Sequence, residues 1–198
     1  MFFNGIPVTP PQSQTFEHLS DLQNYELNFR RRVGRFRFLA GVRHFKTEES
    51  YDIFNTGSGV LNRVGSFSTT TNSLVGVQVG AGATLWSNEI FTTYATLKYA
   101  LMNNSVDGRA EVEDVVGEPL ILDYSDERGT RLWDLEIAGF AAIGQSFGVK
   151  AGYRGIIGED IATATDLSGS LDIFTGEGNF VYSTPEWHGF FITFEGAF

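Results

Sequence analysis

The side chains able to do chemistry in this 198-residue chain fall at every second position of alternating segments. Glu26, Arg30, Arg37, Arg43, Lys98, Asp134, Glu136, Lys150, Arg154 and Glu195 all lie opposite aliphatic or aromatic runs, and Gln78 and Tyr94 share their face. Charges of both signs on one face must pair or meet water, because an unpaired buried charge costs several kcal/mol. Two arrangements satisfy that rule: an ionic core that plugs the interior, or mixed-sign walls around a narrow water-filled pore. Asp134 and Glu136 could also serve as an acid–base carboxylate pair. Arg and Lys partners explain them more simply. The histidines are His18, His44 and His188, none within a G-x-S-x-G nucleophile motif, so no enzyme is expected.

The remaining carboxylates gather between the alternating segments. Connections at about 46–71, 103–129 and 158–187 hold 17 of the 24 acidic residues, and the last contains no Lys or Arg. Such a rim attracts cations. It could hold Ca²⁺ through oxygen ligands, but no spaced loop motif supports a metal site, and no cofactor is expected. The formal charge of −10 argues against a nucleic-acid partner. Without cysteine the chain has neither disulfides nor thiolate sites.

The elements that must position these groups are strands. In Asn72–Trp86, Val75, Val77, Val79, Ala81, Ala83 and Leu85 alternate with small or weakly polar residues. A period of two is a β-strand. About twelve residues is long for a soluble strand and suits a tilted bilayer crossing of about nine to eleven. Other segments repeat the pattern from Tyr25, Phe36, Phe91, Trp133, Phe147 and Phe190. Leu97, Leu135, Ile137, Val149, Ile192 and Phe194 then join Val75, Val77, Val79 and Leu85 as the lipid-facing set. Helical membrane spans are excluded, since no run of about eighteen apolar residues exists. That test is blind to barrels, whose alternating strands average to neutral.

Connections run short, long, short, long, short, long, as in an outer-membrane barrel with tight turns on one side. No helical period is found. The expected fold is all-β: an antiparallel up-and-down transmembrane β-barrel of about eight strands, seven of them visible. Residues 1–21 read as an irregular lead-in and 22–198 as the barrel. An all-antiparallel barrel cannot close on seven. The first strand is therefore expected either within residues 1–20, where Phe2 to Val8 could form a poor edge strand, or upstream of Met1. The start MFFNGIPVTPPQSQ lacks the features of a signal peptide, which favours the upstream option. Across the short turns, Glu136 is expected opposite Arg154 and Gln78 opposite Lys98, with Gly82 leaving room for Tyr94.

From about Leu22 to Phe198 the chain resembles bacterial outer-membrane β-barrel proteins. The closing FFITFEGAF, with Phe190, Ile192, Phe194 and Phe198 in step, resembles the C-terminal signal read by the barrel-assembly machinery. More narrowly, ELNFRRRVGRFRFLAGVRHF (26–45), NSLVGVQVGAGATLW (72–86), ATLKYALMNN (95–104) and VKAGYRGIIGEDIATA (149–164) resemble an uncharacterised planctomycete-type outer-membrane β-barrel family. The resemblance implies a bacterial outer-membrane location, with outer-membrane lipids and the assembly machinery as partners. It supplies no activity and no catalytic residues. The expected role is structural or passive diffusion, porin-like and narrow, with acidic loops outside. One alternative is a soluble lipocalin-like ligand-binding barrel with the aliphatic face inside. Another is an outer-membrane lipid hydrolase using Ser183 and His188.

Overall fold

The structure is a computed structural model and describes residues 2–3, 6–7, 13–56, 63–112, 119–143, 147–170 and 181–196. In chain order the elements are β1 (Phe2–Phe3), β2 (Ile6–Pro7), β3 (Ser13–Val33), β4 (Phe36–Thr56), β5 (Arg63–Ser87) and β6 (Phe91–Val112), then β7 (Leu120–Ile143) and β8 (Phe147–Glu159). They continue with β9 (Ile161–Ala162), α1 (Ala164–Ser170), β10 (Tyr182–Ser183) and β11 (Glu186–Gly196). Seven strands form one antiparallel sheet in the order β11-β8-β7-β6-β5-β4-β3, so each strand from β3 to β8 lies beside its sequence neighbour. The fold is all-β and meandering.

Several expectations need correction. Strands β4 to β7 run 21 to 25 residues, so most of the segments 46–71 and 103–129 is strand. Strand β3 begins at Ser13, which takes residues 13–21 out of the lead-in and into the sheet. Phe2–Phe3 pairs with Ile6–Pro7 as a separate hairpin, and not with an edge of the sheet. A helix does occur: α1 is seven residues long, too short for its period to show in the sequence.

Local chemistry sets the turns. Gly34 takes φ 60° between β3 and β4, a left-handed conformation open to glycine at little cost. Between β5 and β6 the Asn88 carboxamide oxygen accepts the backbone N–H groups of Ile90 (3.0 Å) and Phe91 (2.6 Å). Such a side-chain bond holds a turn in place of a ladder. Next to it the β5–β6 register shifts between Thr84 and Trp86, leaving Leu85 as the extra residue of a bulge. The strands close at Ser87 opposite Thr92, a turn lying farther along the chain than the expected pairs require, and the bulge recovers one residue of the difference. The pairs therefore stand two residues from expectation, with Gly80 facing Lys98, Gln78 facing Ala100 and Tyr94 facing Thr84. No bulge interrupts β7–β8, and there Glu136 does face Arg154.

Polarity inverts along the strands. Near the short turns the outward face is apolar: Leu27, Phe29, Phe36, Phe38, Val75, Val77, Val79, Leu97, Leu135, Ile137, Phe190, Ile192 and Phe194 are all exposed. The inward face at the same level carries buried charges. Farther from the short turns the outward face becomes mixed, with Glu48, Asp107, Arg109 and Arg131 exposed beside Leu19, Phe67 and Ile121. The inward face there holds the apolar core of Phe45, Leu74, Ala100, Met102, Leu132, Ile156 and Ile161. Burial of side chains of that size stabilises by roughly 1.5–3 kcal/mol each.

The sheet wraps around this interior. Phe45 of β4 meets Trp187 of β11 edge-on, with ring centroids 5.3 Å apart, and Leu22 of β3 packs against the same cluster. Among the described residues no ladder joins the two outermost strands, β3 and β11.

Candidate functional site

The interior is built in two storeys. The lower is an ionic layer assembled from five strands. Glu26 (β3), Arg43 (β4), Lys98 (β6), Asp134 (β7) and Arg154 (β8) each project inward, because each sits in phase with the small or polar half of its strand's alternation. Asp134 is fully buried and accepts from Arg43 Nη1 at 2.9 Å, Lys98 Nζ at 3.4 Å, and Arg154 through both Nε (3.0 Å) and Nη2. Glu26 accepts from Lys98 Nζ at 2.9 Å on both oxygens, from Arg154 Nη2 at 2.7 Å and from Gln78 Nε2 at 3.0 Å. Three cations thus share two carboxylates, with Arg43 and Asp134 fully buried and Arg154 at the edge, 26% exposed. Charge-assisted bonds of this type are shorter and stronger than neutral ones. A second pair, Lys150 Nζ to Glu136 at 2.8 Å, lies beside the layer.

Polar side chains complete it. Asn24 accepts from Arg43 Nε at 2.8 Å and donates to Glu26 at 3.1 Å, while Asn28 donates to Glu26 at 3.0 Å. Both Asn residues sit two positions from Glu26 on the same face of β3, a spacing that could have flagged them in the sequence. Gly80 lets the layer close: a Cβ there would lie 3.1 Å from both Leu39 Cγ and Lys98 Cγ, tighter than ordinary packing.

The upper storey is a docked segment of the chain. Ile161, Ala162, Ala164 and Leu167 are buried within the sheet's curve. Asn72 holds them as a backbone strand would: its Nδ2 donates to Ala162 O at 2.8 Å and its Oδ1 accepts Ala162 N–H at 3.3 Å. Asn104 donates to the same Oδ1 at 3.0 Å, and Ser68 donates to Ala164 O at 2.8 Å. Thr163 caps α1, its hydroxyl accepting the Asp166 N–H at 3.2 Å. The buried Glu49 carboxylate accepts the Ala164 N–H at 3.3 Å. Burial, with Asp166 nearby, raises the Glu49 pKa from its ordinary value, against the lowering effects of the Ala164 N–H and His18. Ser68 and Asn104 lie in segments that read as connections in the sequence, and Asn72 stands at the very end of the Asn72–Trp86 strand, so nothing there marked them as docking residues.

Other sequence candidates fall elsewhere. Arg30, Arg37 and Tyr94 line the short-turn mouth, with Arg37 stacked 5.1 Å above the Tyr94 ring. Glu195 pairs opposite Gly148 in the ladder, its side chain outside the described residues, as is Phe198. Leu85 is outward and exposed; Val149 is outward and half-buried. The structure does not bring Ser183 and His188 together: the Ser183 hydroxyl donates to Ile161 O at 3.4 Å, whereas His188 packs against Tyr153. Asp134 and Glu136 are each occupied by basic partners. Among the described residues no three acidic or imidazole groups gather as a metal set.

Comparison with protein-family models, with curated proteins and with solved structures finds no match. The functional reading therefore rests on geometry alone.

Proposed function

We propose that this chain is the wall of a small transmembrane β-barrel of the bacterial outer membrane, with a plugged interior and a structural, membrane-anchored role. The observation that carries the reading is the inverted zone near the short turns. Val75, Val77 and Val79 are 58%, 60% and 57% exposed, while Arg43 at the same level is 1% exposed and Asp134 is fully buried. A water-soluble lipocalin-like barrel needs the reverse. In hydrocarbon the arrangement is the stable one, since the apolar band meets lipid and the charges satisfy each other inside.

Dimensions agree. From Val75 to Leu85 the outward residues of β5 cover eleven positions, which at about 3.3 Å per residue and a tilt of about 40° spans roughly 25 Å. That is the height of the apolar band of outer-membrane barrels. Aromatic pairs border it, Tyr25–His44 and Tyr99–Trp133 on one side and Trp86–Phe91 on the other. Closure between β3 and β11 calls for one more strand, antiparallel to both, which makes eight.

Of the two interior readings, plug and pore, the plug has more behind it. The ionic layer and the docked segment of β9 and α1 obstruct the same lumen at two heights. Planar-bilayer recording on the full chain is the test, with no discrete conductance steps expected. Regular steps at low voltage would overturn the plug and restore the narrow porin. A chain that stays monomeric in buffer without detergent would overturn the membrane reading itself.

A further inference from the structure

The short-turn mouth contains an arrangement that the plugged wall does not need. Arg32 and Arg37 stand directly opposite each other in the β3–β4 ladder, on the inward face. Like charges at such a cross-strand position destabilise a sheet. Arg30 sits one step along the same face, opposite Leu39. Among the described residues none of these three guanidinium groups has a carboxylate within 4.0 Å; Arg32 bonds only the Gly34 carbonyl, at 3.1 Å.

All three open into one cavity of ≈ 290 Å³, whose other walls include Lys150, Tyr94 and Phe140. The Lys150 ammonium, already paired with Glu136, lies 5.4 Å above Tyr94 and 5.1 Å above Phe191. Lys98 is satisfied from below by Glu26 and Asp134. The cavity, which Glu136 also lines, therefore holds three guanidinium groups without a carboxylate partner among the described residues, in a volume near the lower end of small-molecule sites, about 300 Å³. Guanidinium forks match the paired oxygens of carboxylate and phosphate alike. The greater charge of a phosphate, about −1.5 to −2, answers three cations better than a single carboxylate does.

We infer that this mouth is a binding site for a phosphate group, gripped by Arg30, Arg32 and Arg37. The inference does not depend on whether the lumen conducts. It uses the membrane reading only in that a phosphate at the bilayer edge has two sources, a soluble phosphate compound or a lipid headgroup.

The test uses the full chain in a maltoside detergent at low salt, titrated with inorganic phosphate and pyrophosphate by calorimetry. Binding is expected, weakened about ten- to a hundredfold in Arg37→Gln, less in Arg37→Lys, and unchanged in Arg131→Gln, which removes an equal charge elsewhere. Because the variants could misfold, a second measurement uses the wild-type chain. Phosphate is expected to slow phenylglyoxal modification of Arg30, Arg32 and Arg37 several-fold, with Arg31 and Arg131 as internal references. In nanodiscs, displacement of bound phosphate by phosphatidic acid but not phosphatidylcholine assigns the site to headgroups; retention of phosphate in both assigns it to a soluble compound. Failure of phosphate to protect the three arginines, or equal weakening by Arg131→Gln, would overturn the site without touching the barrel reading.

Discussion

Arg154 Nη2 lies 2.7 Å from Glu26 Oε1, although the two residues are 128 positions apart and belong to the sixth and first strands of the seven-stranded meander. A flat sheet would separate them by five strand spacings, roughly 24 Å at about 4.8 Å each. The ion pair exists because the sheet wraps, and in turn it helps to hold the wrap across the open seam between β3 and β11.

Asp134 is the most connected member of that layer, and its neutralisation leaves Arg43, Lys98 and Arg154 to share Glu26. Asp134→Asn is expected to destabilise the folded chain by about 3–5 kcal/mol, the usual cost of orphaning buried charge. Urea unfolding in lipid vesicles, followed by tryptophan fluorescence, measures it. A loss below about 1 kcal/mol would mean that the layer is hydrated.

The apolar band should reject charge in a depth-dependent way. Val77→Arg is expected to cost about 2–4 kcal/mol in a bilayer. Thr71→Arg, on the same outward face but opposite Glu48 and Asp107, is expected to stay within about 0.5 kcal/mol of wild type. Equal effects at the two positions would remove the support for a lipid boundary between them.

Close strand approach at Gly76 predicts intolerance of a single methyl group. A Cβ there would fall inside contact distance of Leu101 O and Met102 Cα, whereas at Gly129 nothing lies within 4 Å. Gly76→Ala is therefore expected to cost about 1–3 kcal/mol by overpacking, with Gly129→Ala close to neutral. Thermal mobility shifts on unheated gels suffice to rank the two.

Docking of α1 should respond to pH through Glu49. Burial raises this carboxyl's pKa, so the folded state binds the proton more tightly than the unfolded chain does. Its contribution is complete below the ordinary carboxylate range, about 4.3, and is lost as pH rises through the elevated folded value. Amide exchange at Ala164, measured from pH 4 to 8, is expected to quicken beyond the intrinsic base-catalysed trend in wild type. Glu49→Gln is expected to follow the intrinsic trend alone.

The lower zone of the fold was legible because one physical fact, apolar side chains outside and charge inside, writes itself as a clean period of two. Val75 to Leu85 and Trp133 to Ile143 carry it without interruption. The upper zone was not legible. There Thr, Ser, Asn and Glu occupy both faces, as in Glu48–Thr56 and Arg63–Thr71, so strands continue where the pattern fades. The register of Gln78 failed for another reason: the turn closes at Ser87 opposite Thr92, later than the polar Ser-Asn-Glu run suggests, and the bulge at Leu85 takes back one residue of that offset. The ionic partners were grouped correctly by face, but the pairing of Arg43 with Asp134, 91 positions away, depends on curvature that periodicity does not encode.

Unbroken strands such as β6 carry the wall from the apolar band straight into its polar continuation. On the proposed membrane reading, that continuation carries strand ends such as Val112 roughly 25 Å beyond the apolar band, at about 3.3 Å per tilted residue. Those strand ends would then be free of the sequence constraints that lipid imposes. Insertions and charge changes accumulated there would alter the polar end of the wall while leaving the stability of the apolar band untouched.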